Sequence, residues 1–166
     1  MLVLTLAGCG ANGVPIAAVR TAATPVAQAK AGIVAAFRAT AQKAIARMDR
    51  DADGRLARPE VDEHLSGAFD QIDADGDGFL TLAEMTAHTA TPDMVAYIHA
   101  ELTAHFQEAD RNHDARLDAA EFGWARENPI FYSSKLKAAD FAAADKNRDG
   151  KLTASEFENQ AALTSL

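Results

Sequence analysis

Cysteine is almost missing from this chain of 166 residues: Cys9 stands alone, which excludes an intramolecular disulfide and any thiolate metal cluster. Long apolar runs are missing too, and none approaches the ~20 residues that would carry a helix across a bilayer. Positive charge is scarce. Sixteen Lys and Arg stand against 24 Asp and Glu, a formal net charge of −8 that argues against a general nucleic-acid binder. The short signatures of catalysis are also absent, with no H-E-x-x-H, no G-x-S-x-G and no phosphate loop. Cys9 lies outside the region expected to fold, so an enzyme is the weakest reading. Length and apolar content fit one domain, or two small lobes, with a real core.

The negative charge is unevenly placed. Four stretches of twelve residues hold 15 acidic and 8 basic side chains, a net of −7, while the rest of the chain holds 9 and 8, a net of −1. A uniformly acidic solvated surface would not divide in this way. The most regular stretch is Asp73-Ala-Asp-Gly-Asp-Gly-Phe-Leu-Thr-Leu-Ala-Glu84, which reads D-x-D-x-D-G-x5-E. Carboxylates at positions one, three and five (Asp73, Asp75, Asp77) can converge as the backbone curls. Gly78 at position six permits the sharp turn, the carbonyl of Phe79 at position seven adds an oxygen, and Glu84 at position twelve closes the set. Six to eight oxygens at roughly 2.3–2.6 Å are what Ca²⁺ takes. Four such ions would supply +8.

The other three stretches repeat the pattern with departures. In residues 49–60 the ligands are Asp49, Asp51, Asp53, the Arg55 carbonyl and Glu60, with Gly54 at the turn. Ala57 at position nine has no side-chain oxygen, so a water serves there. Pro59 is expected in the first turn of an exiting helix, where its missing N–H costs little. Residues 110–121 supply Asp110, Asn112, Asp114, the Arg116 carbonyl, Asp118 at position nine and Glu121. Ala115 replaces the glycine, and a Cβ held at positive φ costs on the order of 1 kcal/mol. That is close to tenfold in affinity if the strain appears only on binding, so this loop is expected to be the weakest. In residues 145–156 the ligands are Asp145, Asn147, Asp149, the Lys151 carbonyl and Glu156, with Gly150 at the turn. Leu56, Leu80, Leu117 and Leu152 hold position eight of the four loops and should face the core.

These four copies resemble the EF-hand loops of the calmodulin superfamily, over roughly residues 40–160. The resemblance implies an all-α fold of four helix–loop–helix units, with loops paired through a short antiparallel contact at position eight. It implies calcium as the ligand, up to four ions, while the net charge of −8 speaks for no nucleic acid. Loop starts are 24, 37 and 35 residues apart. The last spacing suits loops three and four as a lobe, loops two and three are also at a pairing distance, and the partners stay open. The first spacing is closer to compact bacterial EF-hand proteins. Only twelve residues separate Glu60 from Asp73, and Val61, Leu65, Ala68, Phe69 and Ile72 make one helical stripe across them. The economical expectation is a single shared helix, interrupted only if Gly67 breaks it, which would keep loops one and two from pairing directly.

Between the loops the helices announce themselves. One should begin near Ala27, with Ile33, Val34, Phe37, Ala41, Ala44, Ile45 and Met48 on one face. Another runs from Leu82 to about Ala90. Thr91-Pro92-Asp93 opens a third, with Val95, Ile98, Leu102 and Phe106 inward. His99 and His105 are six apart and share no face; Glu101 and His105 share one, and read as a surface polar pair. The helix with Phe122 and Trp124 stops at Asn128-Pro129, Ser133 or Ser134 should cap the next, and Leu136 and Phe141 lead to the fourth loop.

At the start, Leu6-Ala7-Gly8-Cys9 resembles the lipobox of bacterial lipoproteins, with Met1–Leu6 as the end of an apolar signal core. The resemblance implies a lipid on Cys9 and, because Gly10 rather than Asp follows, a periplasmic or outer-membrane place. A plain signal cut after Ala27-Gln28-Ala29, or an unmodified thiol, are the other readings. Residues 10–26 have no sustained period and read as a tether, so residues 1–25 are expected as leader and tether, and 26–166 as the calcium-binding domain. Its function is expected to be that of a calcium sensor or buffer outside the cytoplasm. The alternative is a calcium-stabilised structural or interaction lipoprotein of the cell envelope. Sensors open a Met-rich groove, whereas this body has only Met48, Met85 and Met94.

Overall fold

A computed structural model describes residues 24–130 and 135–165. Cys9, the lipobox and the cap expected at Ser133 or Ser134 lie outside the described residues. The first helix, α1 (Pro25–Met48), starts where Thr24 caps it by accepting the Ala27 N–H, and ends where the Asp49 N–H donates to Ile45 O. It therefore hands the chain directly to position one of loop one. Two pieces of backbone pair next, β1 (Leu56–Ala57) with β2 (Phe79–Leu80), antiparallel, with Leu56 opposite Leu80. Between them lie two single-turn helices, α2 (Glu63–Ser66) and α3 (Phe69–Ile72).

The shared helix expected between loops one and two is therefore corrected. Gly67 still has helical angles, but Ala68 departs to φ −107° and ψ 1°, and the chain turns there. The turn lets loop two fold back against loop one, which buries Leu56 and Leu80 completely. Burying each leucine is worth about 2 kcal/mol, more than one continuous helix of this length would return in water. Loop one also lacks an immediate exiting helix. Residues 58–60 form a turn instead, and α2 waits for the Asp62 cap. Ala57 explains the delay, since the other loops carry Thr81, Asp118 and Thr153 at that position, all helix-capping types.

The remaining elements are α4 (Leu82–Thr89), α5 (Pro92–Ala109), α6 (Ala119–Glu127), α7 (Asp140–Ala144) and α8 (Ala154–Ser165). Thr91 caps α5 as its Thr-Pro-Asp start predicts. Loops three and four meet through Leu117 and Leu152, whose backbones exchange two 2.8 Å hydrogen bonds. The pairing left open by spacing is thus one with two and three with four.

Two apolar clusters result, and α1 belongs to both. Ala41, Ile45 and Met48 pack with Leu56, Phe69, Ile72, Leu80 and Met85 beneath loops one and two. Ile33 and Ala36 pack with α5, α6 and α8 beneath loops three and four. Val34, expected on the inner stripe, is 38% exposed. Gly32 is the point of closest approach to α8: a Cβ there would lie 1.6 Å from Asn159 Oδ1. No helix among the described residues is long and apolar enough to cross a membrane.

Candidate metal centre

All four loops are folded on the same hydrogen-bond plan. The position-one carboxylate accepts the position-six N–H: Gly54 to Asp49, Gly78 to Asp73, Ala115 to Asp110 and Gly150 to Asp145, at 2.9–3.0 Å. Position five accepts the N–H of position seven: Arg55 to Asp53, Phe79 to Asp77, Arg116 to Asp114 and Lys151 to Asp149, at 2.8–2.9 Å. Position three (Asp51, Asp75, Asn112, Asn147) accepts the N–H of position five at 2.8–3.2 Å. The closing glutamate is fixed at both oxygens. Oε1 of Glu60, Glu84, Glu121 and Glu156 accepts the position-two N–H, and Oε2 the position-nine N–H, at 2.8–3.1 Å. Each carboxylate is thereby aimed by backbone amides.

The fixing is visible in the acidities. Hydrogen bonds from Thr81, first its hydroxyl and then its N–H, hold the Glu84 carboxyl below its ordinary value. The Ala57 and Arg50 N–H groups do the same for Glu60. Asp51 behaves in the opposite sense. The Asp53 N–H pulls it down, but burial and the carboxylates of Asp53, Glu60 and Asp49 together raise it above the ordinary value. Like charges that crowd this closely call for a cation.

Carboxylate oxygens converge in two places among the described residues. One oxygen each from Asp49, Asp51 and Asp53 lies within 4.8 Å of the others, and so do those of Asp73, Asp75 and Glu84. In loops three and four an asparagine stands at position three, and Asp114 and Asp149 are engaged by Lys151 and Arg116. Asp118 Oδ1 caps α6 by accepting the Ala120 and Glu121 N–H groups. The carbonyls assigned to Arg55, Phe79, Arg116 and Lys151 belong to the residues just before the paired leucines. The donor set is oxygen throughout, which fits a hard cation such as Ca²⁺ and not a softer metal.

Backbone strain is more widespread than the sequence suggested. Ala115 has φ +62°, as its place predicts, but position four is also left-handed, with Ala52 at +60°, His113 at +59° and Arg148 at +58°. Loop two alone has glycine at both places, Gly76 and Gly78. A left-handed position four carries no glycine signal in loops one, three and four, so it could not be read from composition.

Residues 66–87 and 138–159 match the family model for EF hand. These two segments are similar to EF hands. They contain loops two and four, and loops one and three share the hydrogen-bond plan of those two loops. A curated relative, "Probable calcium-binding protein CML17" of Arabidopsis thaliana, is 38% identical over 73 residues. That stretch covers 44% of this chain and 43% of the relative, so the match spans less than half of either.

The histidine reading needs correction. His105 is not part of a surface pair with Glu101: it is 1% exposed, with Nε2 donating to Ala125 O at 3.1 Å and the ring against Trp124 and Phe157. His99, on another face of α5, bonds to buried Glu158 at 2.9 Å, and Thr103 donates to the same carboxylate. This polar link between α5 and α8 had no local signal, because its partners are 55 and 59 residues apart.

Proposed function

We propose that the protein binds calcium at all four loops and serves as a calcium buffer or calcium-stabilised module, outside the cytoplasm. The observation that carries the calcium reading is the repeated cage, in which two backbone amides fix each glutamate and three acidic oxygens crowd together in loops one and two. The two EF-hand matches support it, and so does a relative whose name says that it binds calcium. Bound calcium would supply the positive charge that the crowded carboxylates call for. The chain's part is to hold Asp49, Asp51, Asp53 and Glu60, and their counterparts in the other loops, in place for it.

The buffer or structural role is preferred to a helix-capturing sensor on the evidence of α1. Ile33 and Ala36 are at most 2% exposed and pack into the apolar cluster shared with α5, α6 and α8, so α1 already covers that apolar surface. Met48 and Met85 are buried in the other cluster, and among the described residues only Met94 is a substantially exposed methionine. The place outside the cytoplasm rests on Leu6-Ala7-Gly8-Cys9 alone. Calorimetric titration of the full chain with calcium tests the reading. Saturable binding that Glu84→Gln weakens is expected, and no heat of binding at millimolar calcium would overturn it. An apolar dye taken up only with calcium would restore the sensor.

A further inference from the structure

Position seven of an EF-hand loop is expected to matter only through its carbonyl, yet here its side chains cross between loops. Arg116, in loop three, pairs through Nη1 with Asp149 Oδ2 of loop four. Lys151, in loop four, pairs through Nζ with Asp114 Oδ2 of loop three. The two contacts are reciprocal, and each lands on the position-five carboxylate of the opposite loop. We propose that Arg116 and Lys151 are positioning residues that set the calcium affinity of the second loop pair, each holding the other loop's position-five carboxylate until calcium takes it.

The first pair provides the contrast. Arg55 lies 3.9 Å from the ring centre of Phe79 and pairs with its own Asp53 at 3.1 Å, reaching Asp77 only at 3.9 Å. Phe79, at position seven of loop two, is uncharged and returns nothing. Loop two's position-five carboxylate therefore has only the longer 3.9 Å contact with Arg55, while those of loops three and four are each held by a closer cation from the opposite loop.

Two effects act in the same direction. A calcium ion entering loop three must share or displace the Lys151 contact, and a fixed ammonium beside the site repels a second cation. Removing the cation should therefore tighten the opposite loop. Each contact is a half-exposed ion pair, so the expected gain is about two- to fivefold in affinity per variant.

The inference rests on the calcium reading, and the test separates the two. Calcium is titrated into the full chain while the amide resonances of Gly78, Ala115 and Gly150 report loops two, three and four. In the unmutated chain Gly78 should respond first. Lys151→Gln should shift the Ala115 midpoint to lower calcium more than the Gly150 midpoint, and Arg116→Gln should do the reverse. Glutamine keeps the backbone carbonyl at either position. Arg126→Gln, which removes a cation paired with Glu127 on α6 and away from the loop-three and loop-four carboxylates among the described residues, should move neither midpoint. In chelator, the double variant should melt below the unmutated chain, because the crossed pairs then have no replacement. Larger effects on the mutated loop itself, unchanged or weaker binding, or a higher melting temperature in chelator would overturn the inference. Unmutated amides that ignore calcium would overturn the calcium reading as well.

Discussion

Leu56 lies directly opposite Leu80 in the ladder that joins loops one and two, and neither side chain is exposed. The contact ties two sites 24 residues apart in sequence through a pair of buried leucines, not through a shared helix. Each leucine immediately follows a position-seven carbonyl, so anything that shifts the ladder shifts a candidate ligand on both sides.

Truncating that contact should be felt at both loops. Leu80→Ala removes a fully buried side chain from the smaller cluster, and a loss of about 2–5 kcal/mol is expected. Chemical denaturation in calcium measures the loss, and the Gly54 and Gly78 amide resonances should both change their calcium midpoints. A Gly54 midpoint that stays fixed while Gly78 moves would show that the ladder does not couple the pair.

Ala115 was expected to weaken loop three through strain that appears on binding. Its φ is +62°, and Ala52, His113 and Arg148 hold the same angle class at a position that supplies no expected ligand. The strain therefore belongs to the fold. Ala115→Gly should stabilise the calcium-free protein by about 1 kcal/mol and change loop-three affinity by clearly less than tenfold. Paired melting and calcium titration decide the point, and a tenfold gain in affinity without added stability would reverse the assignment.

His105 makes stability depend on pH near neutrality. Its Nε2–H donates to Ala125 O, and its Nδ1 is buried with no hydrogen-bond partner. Burial lowers its pKa below 6.5, against smaller upward pulls from the Ala125 carbonyl and the Glu108 charge. The unfolded chain thus takes up this proton first as the solution is acidified. Stability from His105 should be full above about pH 6.5 and fall as pH drops toward its depressed folded value. His105→Asn should flatten denaturation midpoints over that interval relative to the unmutated chain, at some cost in packing against Trp124 and Phe157. An equal slope in both proteins would remove His105 as the cause.

The loops were legible because their chemistry is local. Each needs carboxylates two residues apart, an apolar position eight and a glutamate at position twelve, all within twelve residues. Helix caps such as Thr91, and inward positions such as Ile98 and Leu102, were legible for the same reason. The Val61–Ile72 stripe misled because a helical apolar period is equally well satisfied by two short helices bent at Ala68, and only the burial of Leu56 against Leu80 separates the alternatives.

What the sequence by itself determined is the number of acidic loops, the oxygen-bearing residues within them and the flanking helices outside the stretch between loops one and two. Tertiary structure decided which loops pair, that α1 serves both clusters, that His105 is buried, and that Arg116 and Lys151 reach across to Asp149 and Asp114. The physical reason is separation along the chain. A ligand cage is closed by neighbouring residues, whereas these contacts join groups 20 to 59 positions apart, whose meeting depends on how the whole apolar surface is buried.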